Sequence, residues 1–200
     1  RQPRYELGQA AMRMLLAPEI AEDFLQAFLD VARRLQSGDP RDPATTLAPL
    51  ARADLRDALH QQVIDARAHG ARCLLGGELP DGPGFFYPAT VLDQISPACR
   101  VWREETFGPV ASVLRAHSDL DAIRLANDTP FGLGASIYSA DVERAQALAA
   151  ELEVGSVFIN RHTSSDLRLP FGGVKASGYG RELSEFGLYE FVNVKTYWQL

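Results

Sequence analysis

Val110-Ala111-Ser112-Val113-Leu114-Arg115-Ala116, Ser118 to Asn127, Leu133-Gly134-Ala135-Ser136-Ile137-Tyr138-Ser139, Asp141 to Glu153 and Val154-Gly155-Ser156-Val157-Phe158-Ile159-Asn160 follow one another in that order. The first, third and fifth segments are short and apolar, as strands are. The second opens on Ser118, a capping residue type, with Asp121 three residues on as a weak capping box. The fourth is alanine-rich and reads as a helix. Strand, helix, strand, helix, strand with short connections predicts parallel pairing through right-handed crossovers, hence a layered α/β domain.

Upstream, Pro18 to Gln36 reads as a helix because Ile20, Phe24, Phe28, Val31 and Leu35 recur at helical spacing and Pro18 suits a first turn. Ser37-Gly38 closes it, and Asp39 to Leu50, with three prolines and no periodicity, reads as a surface connection. Ala51 to His69 is a second helix with a stripe of Leu55, Leu59, Val63 and Ala66, ended by Gly70. Cys73 to Leu75 is a strand candidate, Gly76 to Gly84 a turn, and Phe85 to Leu92 the strand that pairs across it. Downstream, Glu190 to Gln199 alternates apolar and polar residues and reads as an extended strand without a hairpin neighbour. Such a strand either closes an edge of the chain's own sheet or adds to another subunit.

Composition excludes several classes. The 200 residues are 46% hydrophobic and 23% charged, with 16 glycines and 12 prolines, which is ordinary for a folded chain and not for a disordered or collagenous one. The formal charge is −6, with basic residues scattered singly among acidic ones, so no nucleic-acid partner is expected. No run approaches the roughly 18 apolar residues of a membrane span, and nothing at the amino end resembles a signal peptide. Two cysteines make no disulfide framework, and a reducing, cytoplasmic setting is expected.

Generic catalytic patterns fail on the residues alone. Gly172 to Gly180 is glycine-rich, but Tyr179 follows Gly178 where a Walker loop needs lysine, and Leu183 stands where a dinucleotide loop needs its third glycine. A tight turn is the simpler reading. Cys73 lies within a short apolar strand and Cys99 in a loop without a predictable base, so neither reads as a nucleophile. His60, His69, His117 and His162 show no metal-ligand spacing, and no metal site is expected. Glu104-Glu105, adjacent acids in a loop, are on composition alone a solvated pair.

Three longer motifs change that balance. Glu104-Glu105-Thr106-Phe107-Gly108-Pro109-Val110, Ala126-Asn127-Asp128-Thr129-Pro130-Phe131-Gly132-Leu133 and Pro170-Phe171-Gly172-Gly173-Val174-Lys175-Ala176-Ser177-Gly178-Tyr179-Gly180-Arg181-Glu182, in that order, resemble the NAD(P)-dependent aldehyde dehydrogenase superfamily. The resemblance runs from about Gly8 to the carboxyl end. Within the superfamily it is closest to bacterial succinate semialdehyde dehydrogenases, through Ala51 to Asp57 and Arg181 to Gly187.

The resemblance implies a division of labour. Residues 1–189 match the family's catalytic domain, residues 190–200 its oligomerisation tail strand, and the amino-terminal domain that binds most of NAD or NADP has no counterpart here. It implies a small aldehyde as substrate and a homo-oligomer joined through the carboxyl-terminal strand. Glu105 is implied to hold the nicotinamide-side ribose and Phe107 to pack by the cofactor, types suited to accepting from two hydroxyls and lying against a flat ring. The loop from Asn160 to Phe171 corresponds to the wall beside the substrate: Phe171 would flank the aldehyde, and Ser165 lies where succinate semialdehyde enzymes place a hydroxyl near the substrate carboxylate. An arginine for that carboxylate is sought among Arg4, Arg13, Arg161 and Arg168.

The main departure concerns the nucleophile. Relatives carry Gly-Gln-x-Cys, attack the aldehyde to form a thiohemiacetal, pass hydride to NAD(P) and hydrolyse the thioester with a glutamate base. Here the run is Gly8-Gln9-Ala10-Ala11-Met12-Arg13 without cysteine. A deletion, a loop missing from this chain and a cysteine-free variant all fit. Glu6-Leu7-Gly8 echoes the motif of the base, but Arg4-Tyr5 before Gly8-Gln9 suits the segment preceding the nucleophile better, which leaves Glu6 an ordinary loop acid. No catalytic residue is assigned, and the chain by itself is expected to be inactive.

Overall fold

The computed structural model describes residues 13–200; Glu6 and the Gly8-Gln9 run lie outside them. The chain divides into two compact units, one reaching Ala122 and the other starting at Ile123.

The first unit contains β1 (Met14–Leu16), α1 (Ala21–Ala32), α2 (Ala53–Ala68), β2 (Arg72–Leu75), β3 (Thr90–Asp93) and β4 (Val110–Arg115). They form a four-stranded sheet in the order β1-β4-β3-β2. β4 runs parallel to both neighbours, Leu15 opposite Leu114 and Val91 opposite Ala111, while β2 adds antiparallel at the edge with a bulge between Cys73 and Leu75. The expected strand over Phe85 to Leu92 is shorter and starts at Thr90. Pro88, without an N–H, cannot donate to a ladder, so pairing begins beyond it.

Helix α1 is shorter than expected and turned the other way. Its buried residues are Ala21, Leu25, Leu29 and Ala32, which pack with Leu16, Val91 and Val113. From the expected stripe only Phe28 contributes to that cluster; Ile20, Phe24, Val31 and Leu35 are exposed. The alanines let the helix axis approach the sheet closely, where bulkier side chains would hold it off. An ion pair fastens the helix start. Arg115 on β4 donates to both carboxylate oxygens of buried Asp93 on β3, at 3.2 and 2.9 Å, and reaches Glu22 of α1 at 3.0 Å. Helix α2 follows expectation, with Leu59, Val63 and Ala66 buried and Gly70 at φ +91°, though Leu55 is exposed.

The division between the units falls within α3 (Asp119–Asn127). Its start is capped reciprocally: Ser118 Oγ accepts from the Asp121 N–H, and the Asp121 carboxylate accepts from the His117 N–H. The second unit then contains β5 (Phe131–Gly132), β6 (Gly134–Ile137), α4 (Val142–Ala150), β7 (Ser156–Ile159), β8 (Val174–Lys175) and α5 (Ser184–Tyr189). β6 and β7 pair in parallel across α4, Gly134 opposite Ser156 through Ile137 opposite Ile159, as the crossover pattern requires. The Asp141 side chain caps α4 by accepting from the Arg144 N–H. The earlier half of the pattern resolves differently: β4 pairs with β1 and β3, and β6 with β7. The expected strand at Leu133 to Ser139 is shorter, Gly134–Ile137, and just before it Phe131–Gly132 pairs antiparallel with β8.

Among the described residues the tail does not close an edge of the chain's own sheets. Residues 193–200 carry no regular structure, and Phe191, Val194, Tyr197 and Trp198 are largely exposed. A strand exists only with a hydrogen-bonded neighbour, and Glu190 to Gln199 finds none among the described residues. Among the described residues no helix is long and apolar enough to cross a membrane.

Candidate functional site

Glu104 and Glu105 sit between the 3-10 turn Arg100–Trp102 and β4, on a loop that α2 holds from below. The two neighbours have opposite fates. The Glu104 carboxylate accepts from Arg100 Nε at 3.0 and 3.2 Å and from Gln62 Nε2 at 2.9 Å. The Arg100 hydrogen bonds, with that of Gln62 behind them, hold its carboxyl below the usual carboxylate range. Glu105 is exposed, and its carboxylate takes no hydrogen bond or ion pair among the described residues. Its main-chain carbonyl accepts from Gln62 Nε2 at 3.1 Å. Phe107, two residues on, is 57% exposed. Gly108 then passes under α2 so closely that a Cβ there would lie 2.3 Å from Leu59 Cδ2. A free carboxylate beside a free aromatic ring, on a loop anchored from behind, suits a ribose diol and a flat ring system. The residues present therefore fit the cofactor group implied for them.

The loop from Asn160 to Phe171 belongs to the second unit. Asn160 adopts φ +52°, and both ends of its amide are engaged: Oδ1 accepts from the Ser139 N–H at 2.8 Å and Nδ2 donates to the Ser139 carbonyl at 2.7 Å. It anchors the start of the loop. Phe171 anchors the end, exchanging two backbone hydrogen bonds with Glu182 at 2.8 and 2.7 Å. Ser165 between them is exposed. The loop and β7 border an open pocket of about 370 Å³ lined by Phe158, Arg161, Ser164, Asp166 and Phe171 among others. Of the arginines considered for a carboxylate, Arg168 is tied to Asp166 at 2.9 and 2.7 Å, and those hydrogen bonds hold the Asp166 carboxyl well below its usual range. Arg13 lies over the Trp102 ring at 5.8 Å. Arg161 lines the pocket.

The glycine-rich segment is a turn. Gly178 and Gly180 adopt φ +112° and +80°. Lys175, which a phosphate loop would offer to its ligand, donates to the carbonyls of Asn127 at 2.8 Å and Thr129 at 3.4 Å and pairs with Glu153 at 2.6 Å. Ser177 Oγ accepts from the Gly132 N–H at 3.0 Å. The second and third motifs therefore hold one another. Asn127 completes the arrangement, donating to the Glu151 carbonyl and accepting from the Glu153 N–H.

Neither cysteine is placed as a nucleophile. Cys99 is 2% exposed, and burial pushes the Cys73 thiol up from its ordinary value while it faces the carbonyls of Leu75 and Gly76. Sequence reasoning missed Gln62, Arg100 and Lys175. The available signal was Gln62, a polar residue within the helical stripe of Leu59, Val63 and Ala66.

Comparison with known proteins agrees with the motifs. The chain is 50% identical over 190 residues to the succinate semialdehyde dehydrogenase Sad of Escherichia coli K12, whose name gives NAD(P)+ as acceptor; the match covers 95% of this chain and 41% of that protein. Among solved structures, succinic semialdehyde dehydrogenase from Streptococcus pyogenes in complex with NADP+ superposes with a TM-score of 0.89 at 40% identity, over 95% of this chain and 42% of that one. Betaine aldehyde dehydrogenase from Staphylococcus aureus in complex with NAD+ gives 0.86 at 34% identity, over 92% and 37%. The chain thus spans about two fifths of the length of the relatives it matches. The sequence profile of the aldehyde dehydrogenase family covers residues 7–197, and the chain belongs to that family.

Proposed function

We propose that this chain is a portion of an NAD(P)-dependent dehydrogenase that oxidises an aldehyde of the succinate semialdehyde type to its carboxylic acid. The observation that carries the cofactor half is Glu105, an exposed carboxylate without a partner among the described residues, beside Phe107 on an anchored loop. When bound, NAD or NADP supplies the hydride acceptor; Glu105 holds its ribose and Phe107 packs against it. On the substrate side Ser165 offers a hydroxyl to the substrate's polar end, Phe171 flanks the aldehyde, and Asn160 contributes by fixing the loop through Ser139. The similarity to succinate semialdehyde dehydrogenases supports the substrate class. Two unpaired cysteines suit a reducing, cytoplasmic setting.

By itself the chain does not turn over aldehyde, since no cysteine follows Gly8-Gln9, Cys99 is buried, and the half-buried Cys73 thiol is pushed up by desolvation. Purified chain mixed with succinate semialdehyde and either cofactor should therefore produce no NAD(P)H, and steady aldehyde-dependent reduction would overturn this. Titration with NAD+ and NADP+ tests the site: Glu105→Gln should weaken binding about tenfold, the scale of one charge-assisted hydrogen bond. Equal affinities would remove Glu105 from the cofactor site.

A second reading is that the chain is a catalytically silent member acting as an oligomerisation or regulatory module. The apolar, uncovered tail from Phe191 to Leu200 favours it.

A further inference from the structure

The Glu104–Glu105 loop poses a problem of choice: two identical side chains are adjacent, and among the described residues Glu104 is paired while Glu105 faces solvent without a partner. The structure locates the choice in α2. Gln62 is only 8% exposed. Its Nε2 lies 2.9 Å from Glu104 Oε2 and 3.1 Å from the Glu105 carbonyl oxygen. Both partners are acceptors only, so the amide NH2 must face them, one proton to each. The same helix face presents Asp65, one turn on, whose Oδ2 accepts from the Arg100 N–H at 2.7 Å. Arg100 in turn binds the Glu104 carboxylate, 3.0 Å away. Two polar residues of α2 thus grip both ends of the segment from Arg100 to Glu105. Glu104, its side chain still 44% exposed, is held towards Arg100 and α2, and the peptide between the two glutamates is fixed so that the next side chain points away.

We propose that Gln62 is a positioning residue for cofactor binding: by donating to the Glu104 carboxylate and the Glu105 carbonyl together, it makes Glu105 the carboxylate offered to the ribose. This rests on the reading that Glu105 meets the ribose. Gln62 touches neither cofactor nor substrate and acts through the loop. Without its amide, Glu104 keeps only Arg100, the Glu105 carbonyl loses its buried donor, and the loop samples arrangements in which Glu105 is misdirected.

The experiment uses the purified chain with Gln62→Leu, and with Gln62→Met as an unbranched second variant should leucine disturb α2. Amide exchange of Glu105 to Gly108 should quicken by about tenfold or more in the variants, and the titration midpoint of Glu104 should move up, while the thermal midpoint stays close to wild type. The dissociation constant for NAD+ or NADP+ should rise about tenfold. In a Glu105→Gln background the same substitution should have no further effect on that constant, which a merely structural role would not produce. Unchanged exchange and titration would overturn the clamp. A loss of affinity that persists beside Glu105→Gln would overturn its action through Glu105. Should the clamp readouts respond as expected while wild type binds neither cofactor, the ribose reading fails, and the positioning role with it.

Discussion

Tyr87 is 1% exposed, and its hydroxyl lies 3.1 Å from His60 Nδ1 on α2. Burial pushes the phenol up to about 12. The folded chain therefore keeps a proton that the unfolded chain releases near the ordinary value of about 10. Stability from this group is complete below about pH 10 and falls as pH rises towards 12, since the unfolded state then binds fewer protons. Between pH 9 and 11 wild type should lose about 1 kcal/mol more than Tyr87→Phe in urea unfolding, with the difference between the two curves isolating Tyr87 from other titrating groups. At neutral pH the substitution should cost about 1 kcal/mol through the lost bond to His60. Parallel pH curves would mean that the phenol is hydrated in the folded chain. A motif in the sequence pointed to Glu105 and Phe107. None pointed to Gln62, because its importance lies in what it touches across 42 positions of chain and not in its neighbours.

At the scale of elements, α1 shows why a hydrophobic stripe can mislead. The helix is apolar on two adjacent faces, and the bulky one, Ile20, Phe24, Val31 and Leu35, attracts the eye. The sheet instead receives the face where Ala21 and Ala32 flank Leu25 and Leu29, because close approach favours small residues over large ones. The two faces predict opposite outcomes. Leu25→Ala should destabilise the chain by about 2–4 kcal/mol in urea unfolding, whereas Val31→Ala, 61% exposed, should change it by less than about 0.5 kcal/mol. The reverse ranking would restore the bulky face to the core. In the second unit the parallel pairing of β6 with β7 was legible in full, since strand, helix and strand adjoin in sequence. What the pattern did not show is the contact between Gly155 and the glycine-rich turn, where a Cβ would lie 1.7 Å from the Gly172 carbonyl oxygen. Backbone on that side cannot rotate away as a side chain can, so Gly155→Ala should cost about 1–3 kcal/mol and lower the thermal midpoint. An unchanged midpoint would show that the turn yields freely.

For the whole molecule the decisive feature is the carboxyl end. Phe191, Tyr197 and Trp198 are each more than 80% exposed, and Val192 and Val194 more than half. Scattered apolar residues on a surface need no explanation, but here Phe191, Val192, Val194, Tyr197, Trp198 and Leu200 are clustered in one short exposed segment. Its alternation suits a strand, and its backbone groups have no partner strand among the described residues, so an edge on another subunit would satisfy both the donors and the side chains. Deleting residues 190–200 removes this run without touching the cores, which lie upstream. Sedimentation of the purified chain should then show a drop from an associated species to a monomer with no loss of thermal stability in the remaining fold. Replacing Tyr197 and Trp198 together by serine should give an intermediate result, because the backbone ladder survives while two large apolar contacts are lost. Association that persists after the deletion would place the contact elsewhere, and the exposed face of α1, with Phe24 stacked on Phe28 at 5.8 Å, would be the next surface to alter.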